Sequence, residues 1–379
     1  MAASARRVRE VSVRELNRAL LARQSLLERR SEAPLRAVER LVALQAQVPR
    51  DPYVALWSRL EGFDPAVLSR ALESRRAVRM TLNRATLHLV SARDALALRP
   101  LFQPVVERMF FGQKAFREAA DGVDVDEVAA VLRAALEERP GTRSDLANVI
   151  AGLWPERDAA NLAYAMYLLP TVQVTPRGLW GRSARPAVTT LEHWLGAKGP
   201  GPASPPAELV RRYLAAFGPA TPADFANWSG IAGMREVFEQ MRPALRTFRD
   251  PAGREQFDLP RAPLPDPAAP APVRFLPEYD NVVLGHADRS RIVPAGVPQW
   301  TAVGWGTVLV DGFVSARWHD PADGILVEPF RDLTRTERRA VAAEGRRLAG
   351  LLGGPPRVSI RPTDPSPPNQ RPGHQPSRG

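Results

Sequence analysis

The 379-residue chain contains no cysteine, which excludes disulfides, thiolate catalysis and cysteine-held zinc or iron-sulfur centres. Its histidines, at 88, 193, 286, 319 and 374, never take the paired spacing of a metalloprotease helix, so no metal site is expected. Neither a phosphate loop nor a nucleophile elbow occurs, and no cofactor is expected. Lysine is confined to Lys114 and Lys198, which leaves few amines for Schiff-base chemistry. No apolar run approaches membrane-spanning length and the N-terminus lacks the apolar core of a signal peptide. These absences read as a cytoplasmic protein with no membrane partner.

What the chain has instead is arginine. A net charge of +11 and a pI near 10.9 point toward a polyanion, most simply nucleic acid. A proteome rich in arginine would produce the same numbers, so the charge supports this reading without deciding it.

The most informative stretch is Leu41-Val42-Ala43-Leu44-Gln45-Ala46-Gln47-Val48-Pro49, where two amides interrupt an apolar run just before a proline. Helical spacing of Leu35, Val38, Leu41, Val42 and Leu44 predicts a helix starting near Pro34. Pro49 biases Val48 out of helical geometry, so the helix should fray or stop around Gln45 to Gln47. On extended chain, residues two apart point the same way, which would aim both amides at one spot. Such a pair could hold a water or read a polar edge but could not take a proton strongly. Helix-end amides that merely cap backbone groups are the alternative.

Gln45-Ala46-Gln47, with Pro52-Tyr53 and Leu56-Trp57-x-Arg59-Leu60, resembles the Gln-x-Gln signature of winged-helix DNA glycosylases of the AlkZ and YcaQ type. Further matches are Arg84-Ala85-Thr86-Leu87-His88-Leu89-Val90, Phe225-x-x-Trp228-x-Gly230, and Phe275-Leu276-Pro277-Glu278-Tyr279-Asp280-Asn281 through Leu284-Gly285-His286-x-Asp288-Arg289-Ser290-Arg291. The resemblance implies excision of alkylated purines, bulky or crosslinked ones included, from double-stranded DNA by a monomer, with Gln45 and Gln47 as the catalytic pair. It also marks Tyr53, Arg84, His88, His286, Arg289 and Arg291 as candidate DNA-binding residues. A satisfied core histidine at 88 and a structural polar network at 279–291 are the competing readings.

The fold class expected is α+β, built as three tandem winged helix-turn-helix modules followed by a β-rich region. Module 1 spans 1–105 and carries Gln-x-Gln; module 2 spans 106–198 and module 3 spans 199–262. The β-rich region with a terminal helix covers 263–353, and a disordered basic tail covers 354–379. Asp311-Gly312 predicts a hairpin between Thr307 and Trp318. With Phe313 or Arg317 near its groove-facing side, it is a candidate DNA-probing element, or a plain packing hairpin. The rival to the enzyme is a winged-helix regulator or scaffold without catalysis.

Overall fold

The helix Pro34–Arg40 stops a turn earlier than the apolar spacing predicts. Val42 takes a left-handed φ of 71°, which a β-branched residue adopts only under tertiary constraint and which breaks the helix before the amides. Beyond it the chain is extended, and Leu44–Gln45 forms β1. The computed structural model describes residues 9–199, 201–297 and 304–362.

β1 is the edge of a five-stranded antiparallel sheet with β2 (Ala77–Thr81), β3 (Leu87–Ser91), β4 (Thr171–Gln173) and β5 (Val188–Thr190), in the order β1-β3-β2-β4-β5. Gln45 lies opposite His88 of β3. The sheet thus joins strands read from the sequence as belonging to two successive modules. β4 is joined to β5 by a long irregular segment. Pro100 and Pro104 lie inside one helix, Ala92–Gly112, so the module boundary expected at residue 105 falls mid-helix. Tertiary packing of Leu98, Phe102 and Val106 outweighs the two missing N–H groups there.

Downstream, the helices Pro206–Phe217, Pro222–Ser229 and Arg235–Met241 precede the hairpin of β6 (Arg246–Arg249) and β7 (Glu255–Asp258). The C-terminal sheet takes the order β12-β11-β10-β9-β8, from β8 (Arg274–Leu276), β9 (Gly306–Val310), β10 (Phe313–His319), β11 (Ile325–Pro329) and β12 (Val358–Ile360). β12 pairs parallel with β11, so part of the stretch read as a disordered tail is ordered; residues 363–379 of that tail lie outside the described residues. Helix Arg335–Leu352 packs on this sheet through Val341, Leu348 and Ala349, with a Thr334/Glu337 capping box at its start. Among the described residues no helix is long and apolar enough to cross a membrane.

The Asp311-Gly312 hairpin forms as expected, both turn residues having positive φ. Its tip does not project. Asn17 donates to the Gly312 carbonyl at 2.8 Å, and Arg14 and Arg18 both pair with Asp311. A Cβ at Gly312 would meet Asn17 and Leu21 at 2.6 Å. Arg317 pairs with Glu328 at 2.6 Å and lies 4.4 Å from the Trp305 ring centroid. The element read as a DNA probe is therefore locked against the first helix, Val13–Arg23.

Candidate active site

Because β1 is extended, Gln45 and Gln47 line one cleft of about 800 Å³. Gln45 is 9% exposed and Gln47 is open to solvent. The Gln45 Oε1 accepts from Arg84 Nη2 at 2.9 Å, and the Gln47 Oε1 accepts a long 3.4 Å bond from the Leu87 amide. Each amide oxygen retains a second lone pair. The facing wall is aromatic: Phe116 and Tyr164 stack at 4.1 Å, and the Arg143 guanidinium lies 4.6 Å from the Tyr164 centroid. No carboxylate, histidine or lysine lines this cleft among the described residues.

Arg84 reaches Gln45 through an unusual turn. Arg84 and Ala85 both sit at positive φ, 54° and 55°, a conformation that costs non-glycine residues roughly 1 kcal/mol each. The turn is held from outside: Arg84 Nη1 donates to the Trp228 carbonyl at 2.5 Å, and Gly230 lies so close that a Cβ would meet Arg84 Cα at 3.2 Å. The Phe-x-x-Trp-x-Gly motif is thus a brace for the loop that holds Gln45. Burial and the nearby Arg289 charge lower the Arg84 pKa to about 10, leaving it cationic at neutral pH. Arg84 and Arg289 are both partly exposed and lie at this edge of the site.

Other residues read as DNA contacts belong to the interior. Tyr53 is 1% exposed and donates to the Gly178 carbonyl at 2.7 Å. His286 is 2% exposed and its Nε2 donates to the Phe217 carbonyl at 3.0 Å. The Arg291 guanidinium is buried, with Nη1 on the Pro219 carbonyl at 2.7 Å. Tyr53 is thus tied to the segment between β4 and β5, and His286 and Arg291 to the end of the helix Pro206–Phe217 and the turn after it, all three as buried anchors. Arg317 is half-buried and committed to its pair with Glu328.

His88 is fully buried beneath Gln45, with Nδ1 donating to the Thr86 carbonyl at 2.9 Å. Burial, then the Arg84 charge, lower its pKa to about 3. It is neutral at physiological pH and packs as scaffold. Below pH 6.5 the unfolded chain binds a proton that folded His88 refuses, so its contribution is present above pH 6.5 and lost as pH falls toward 3. The slope is about 1.4 kcal/mol per pH unit. Denaturation of wild type and His88→Asn from pH 7 to 4 should show the wild-type advantage shrinking with acid; a pH-independent difference would contradict this.

The sequence reading missed how the Pro-Glu-Tyr-Asp-Asn motif acts. Asp280 forms a bidentate pair with Arg59 at 2.7 and 2.8 Å, both side chains fully buried. Asn281 Nδ2 donates to the Ala43 carbonyl at 2.6 Å, immediately before β1, and Tyr279 enters the cleft beside both glutamines. The three residues Tyr279 to Asn281 therefore set the position of the amide strand and supply a cleft residue.

Comparison with known proteins follows from this geometry. A Streptomyces sahachiroi protein named "Interstrand DNA cross-link repair glycosylase" is 30% identical over 169 residues, 41% of this chain and 45% of that protein. The matched stretch thus spans under half of that relative's length. The solved structure of Streptomyces sahachiroi DNA glycosylase AlkZ superposes with a TM-score of 0.69 over 93% of this chain and 100% of that one, at 21% identity, a likeness of fold. The profile of the family described as "DNA glycosylase AlkZ-like" matches residues 38–351, and the chain belongs to that family.

Proposed function

We propose that this chain is a monofunctional DNA glycosylase that hydrolyses the N-glycosidic bond of purines alkylated at N7 or N3 in double-stranded DNA, bulky or crosslinked adducts included. The observation that carries the reading is the convergence of Gln45 and Gln47 on one cleft whose described lining holds no carboxylate or histidine. Such chemistry suits this substrate. An N7- or N3-alkylated purine already carries positive charge and leaves readily, so the protein must chiefly hold water near the anomeric carbon and stabilise oxocarbenium character. Two amide oxygens accepting the two hydrogens of one water would leave its lone pair aimed outward.

The arginine-rich composition and the partly exposed Arg84 and Arg289 fit a phosphate backbone beside the cleft. We read the scaffold as winged-helix modules acting as a monomer, the first two sharing the sheet β1 to β5 and the helix Ala92–Gly112 in place of a division at residue 105. The helix-then-hairpin order of residues 206–258 supports the third most plainly.

Neither lysine lines the glutamine cleft: Lys114 is exposed and pairs with Glu118, and Lys198 borders a separate cleft with Arg99 and Glu137. Product analysis on a duplex carrying N7-methylguanine should give free base and an abasic site in an intact strand. Strand scission trapped as a borohydride-reducible adduct, and lost in Lys114→Ala or Lys198→Ala, would overturn the monofunctional assignment.

A further inference from the structure

β1 is two residues long and lies at the edge of its sheet, and its ladder ends at Gln45. So short an edge pairing does not by itself fix Ala46 and Gln47, which lie beyond it. Two further bonds hold Ala46: its amide donates to the Leu87 carbonyl at 2.8 Å, and its carbonyl accepts from Arg79 Nη2 at 2.6 Å. Arg79 belongs to β2, so its side chain reaches past β3 to the edge strand. Its Nη1 donates to Gln173 Oε1 at 2.8 Å, and Gln173, on β4, lines the same cleft as Gln45 and Gln47. One planar fork of donors thus joins two parts of the cleft wall.

Stability alone does not account for Arg79. It is 1% exposed, no carboxylate pairs with it among the described residues, and its Nε meets no acceptor. Burial, then the charge of Arg177, lower its pKa to about 10, so it stays cationic at neutral pH. A buried cation without a counter-charge weakens a fold, and an apolar side chain of similar size would pack there at lower cost. The fold nonetheless makes room for it. Gly178 has a φ of 90°, and a Cβ there would meet Arg79 Cδ at 2.6 Å and Nη1 at 2.9 Å. Tyr53 holds that glycine through its carbonyl.

We infer that Arg79 is a positioning residue for base release, setting the strand between the two glutamines through the Ala46 carbonyl and Gln173 through its amide oxygen. The inference rests on the glycosylase reading above and adds to it a buried group that touches no substrate. Arg84 fixes Gln45 by its side chain, whereas Arg79 fixes the backbone that carries Gln47, so loss of Arg79 displaces Gln47 most. A misplacement of about 1 Å in a positioned reactant can cost about 100-fold in rate.

Single-turnover release of N7-methylguanine from a duplex, with the full chain in excess at several concentrations, reads the saturated rate and the half-saturating concentration separately. Arg79→Met, which keeps the bulk and deletes both ties, should lower the saturated rate about 10- to 100-fold and leave half-saturation within a few-fold. Gly178→Ala, which displaces Arg79 from outside the cleft, should lose rate in the same way, and it carries the test where Arg79→Met does not fold. In the Gln45→Ala/Gln47→Ala background, either change should cost less than about 3-fold more, because residues acting as one unit do not multiply their losses. A residue that merely held the fold together would lose its full factor again there. Release by wild type that the folded variant leaves at full rate, a loss confined to half-saturation, or the same factor lost again without the amides would overturn the positioning role alone. Absence of release by the wild type would overturn the glycosylase reading and the positioning role together.

Discussion

Asp280→Ala should lower the unfolding free energy by about 3–5 kcal/mol, the cost of leaving one member of a buried ion pair without its partner. Arg59 has no exposed surface: it donates to both Asp280 oxygens, to the Ala55 carbonyl at 2.9 Å and to Gln24 Oε1 at 3.1 Å. Removing the carboxylate strands a guanidinium in the interior and also deletes the cap on the Val282 amide. A domain is stable by only about 5–15 kcal/mol, so the loss is a large fraction of the total. The double variant Arg59→Met/Asp280→Leu should recover much of it, because the interior then holds no uncompensated charge. Urea denaturation of the three proteins checks both statements. A loss below about 1 kcal/mol for Asp280→Ala would show that the pair holds nothing together.

Removing both cleft amides, in Gln45→Ala/Gln47→Ala, should reduce base release by at least about 100-fold while leaving duplex affinity within a few-fold. The two single variants should each lose most of that factor, since one amide alone cannot orient a water. Gln45 is held by the Arg84 guanidinium at 2.9 Å, whereas Gln47 has, among the described residues, the long 3.4 Å contact from Leu87. Arg84→Ala should therefore weaken release through Gln45 as well as through lost phosphate contact. Binding titrations alongside single-turnover rates separate the two effects.

Local chemistry was legible in the sequence, and tertiary roles were not. Pro49 and the amide pair were enough to foresee an extended segment that aims Gln45 and Gln47 together, although the left-handed Val42 ends the helix earlier. The Asp311-Gly312 turn is likewise a short-range signal that the fold honours. The polar motif between Glu278 and Arg291 looked like nucleic-acid chemistry because it is dense in histidine, arginine and aspartate. In the fold, Asp280 meets Arg59, Asn281 meets Ala43 and Arg291 meets Pro219, all far away in sequence. No local period encodes such contacts, so buried anchors and surface contacts look alike until the chain is closed. The same limit hid the bracing of Arg84 by Trp228 and Gly230, and it concealed how firmly the Asp311-Gly312 tip is held by the first helix.

The most direct test of the central claim is base release from duplex DNA carrying N7-methylguanine, with a bulkier N7 adduct in parallel, by wild type and Gln45→Ala/Gln47→Ala at equal duplex saturation. The account predicts release by wild type from both substrates and its collapse in the double variant with binding retained. Salt-sensitive binding without release from either substrate, or release undiminished in the double variant, would contradict it.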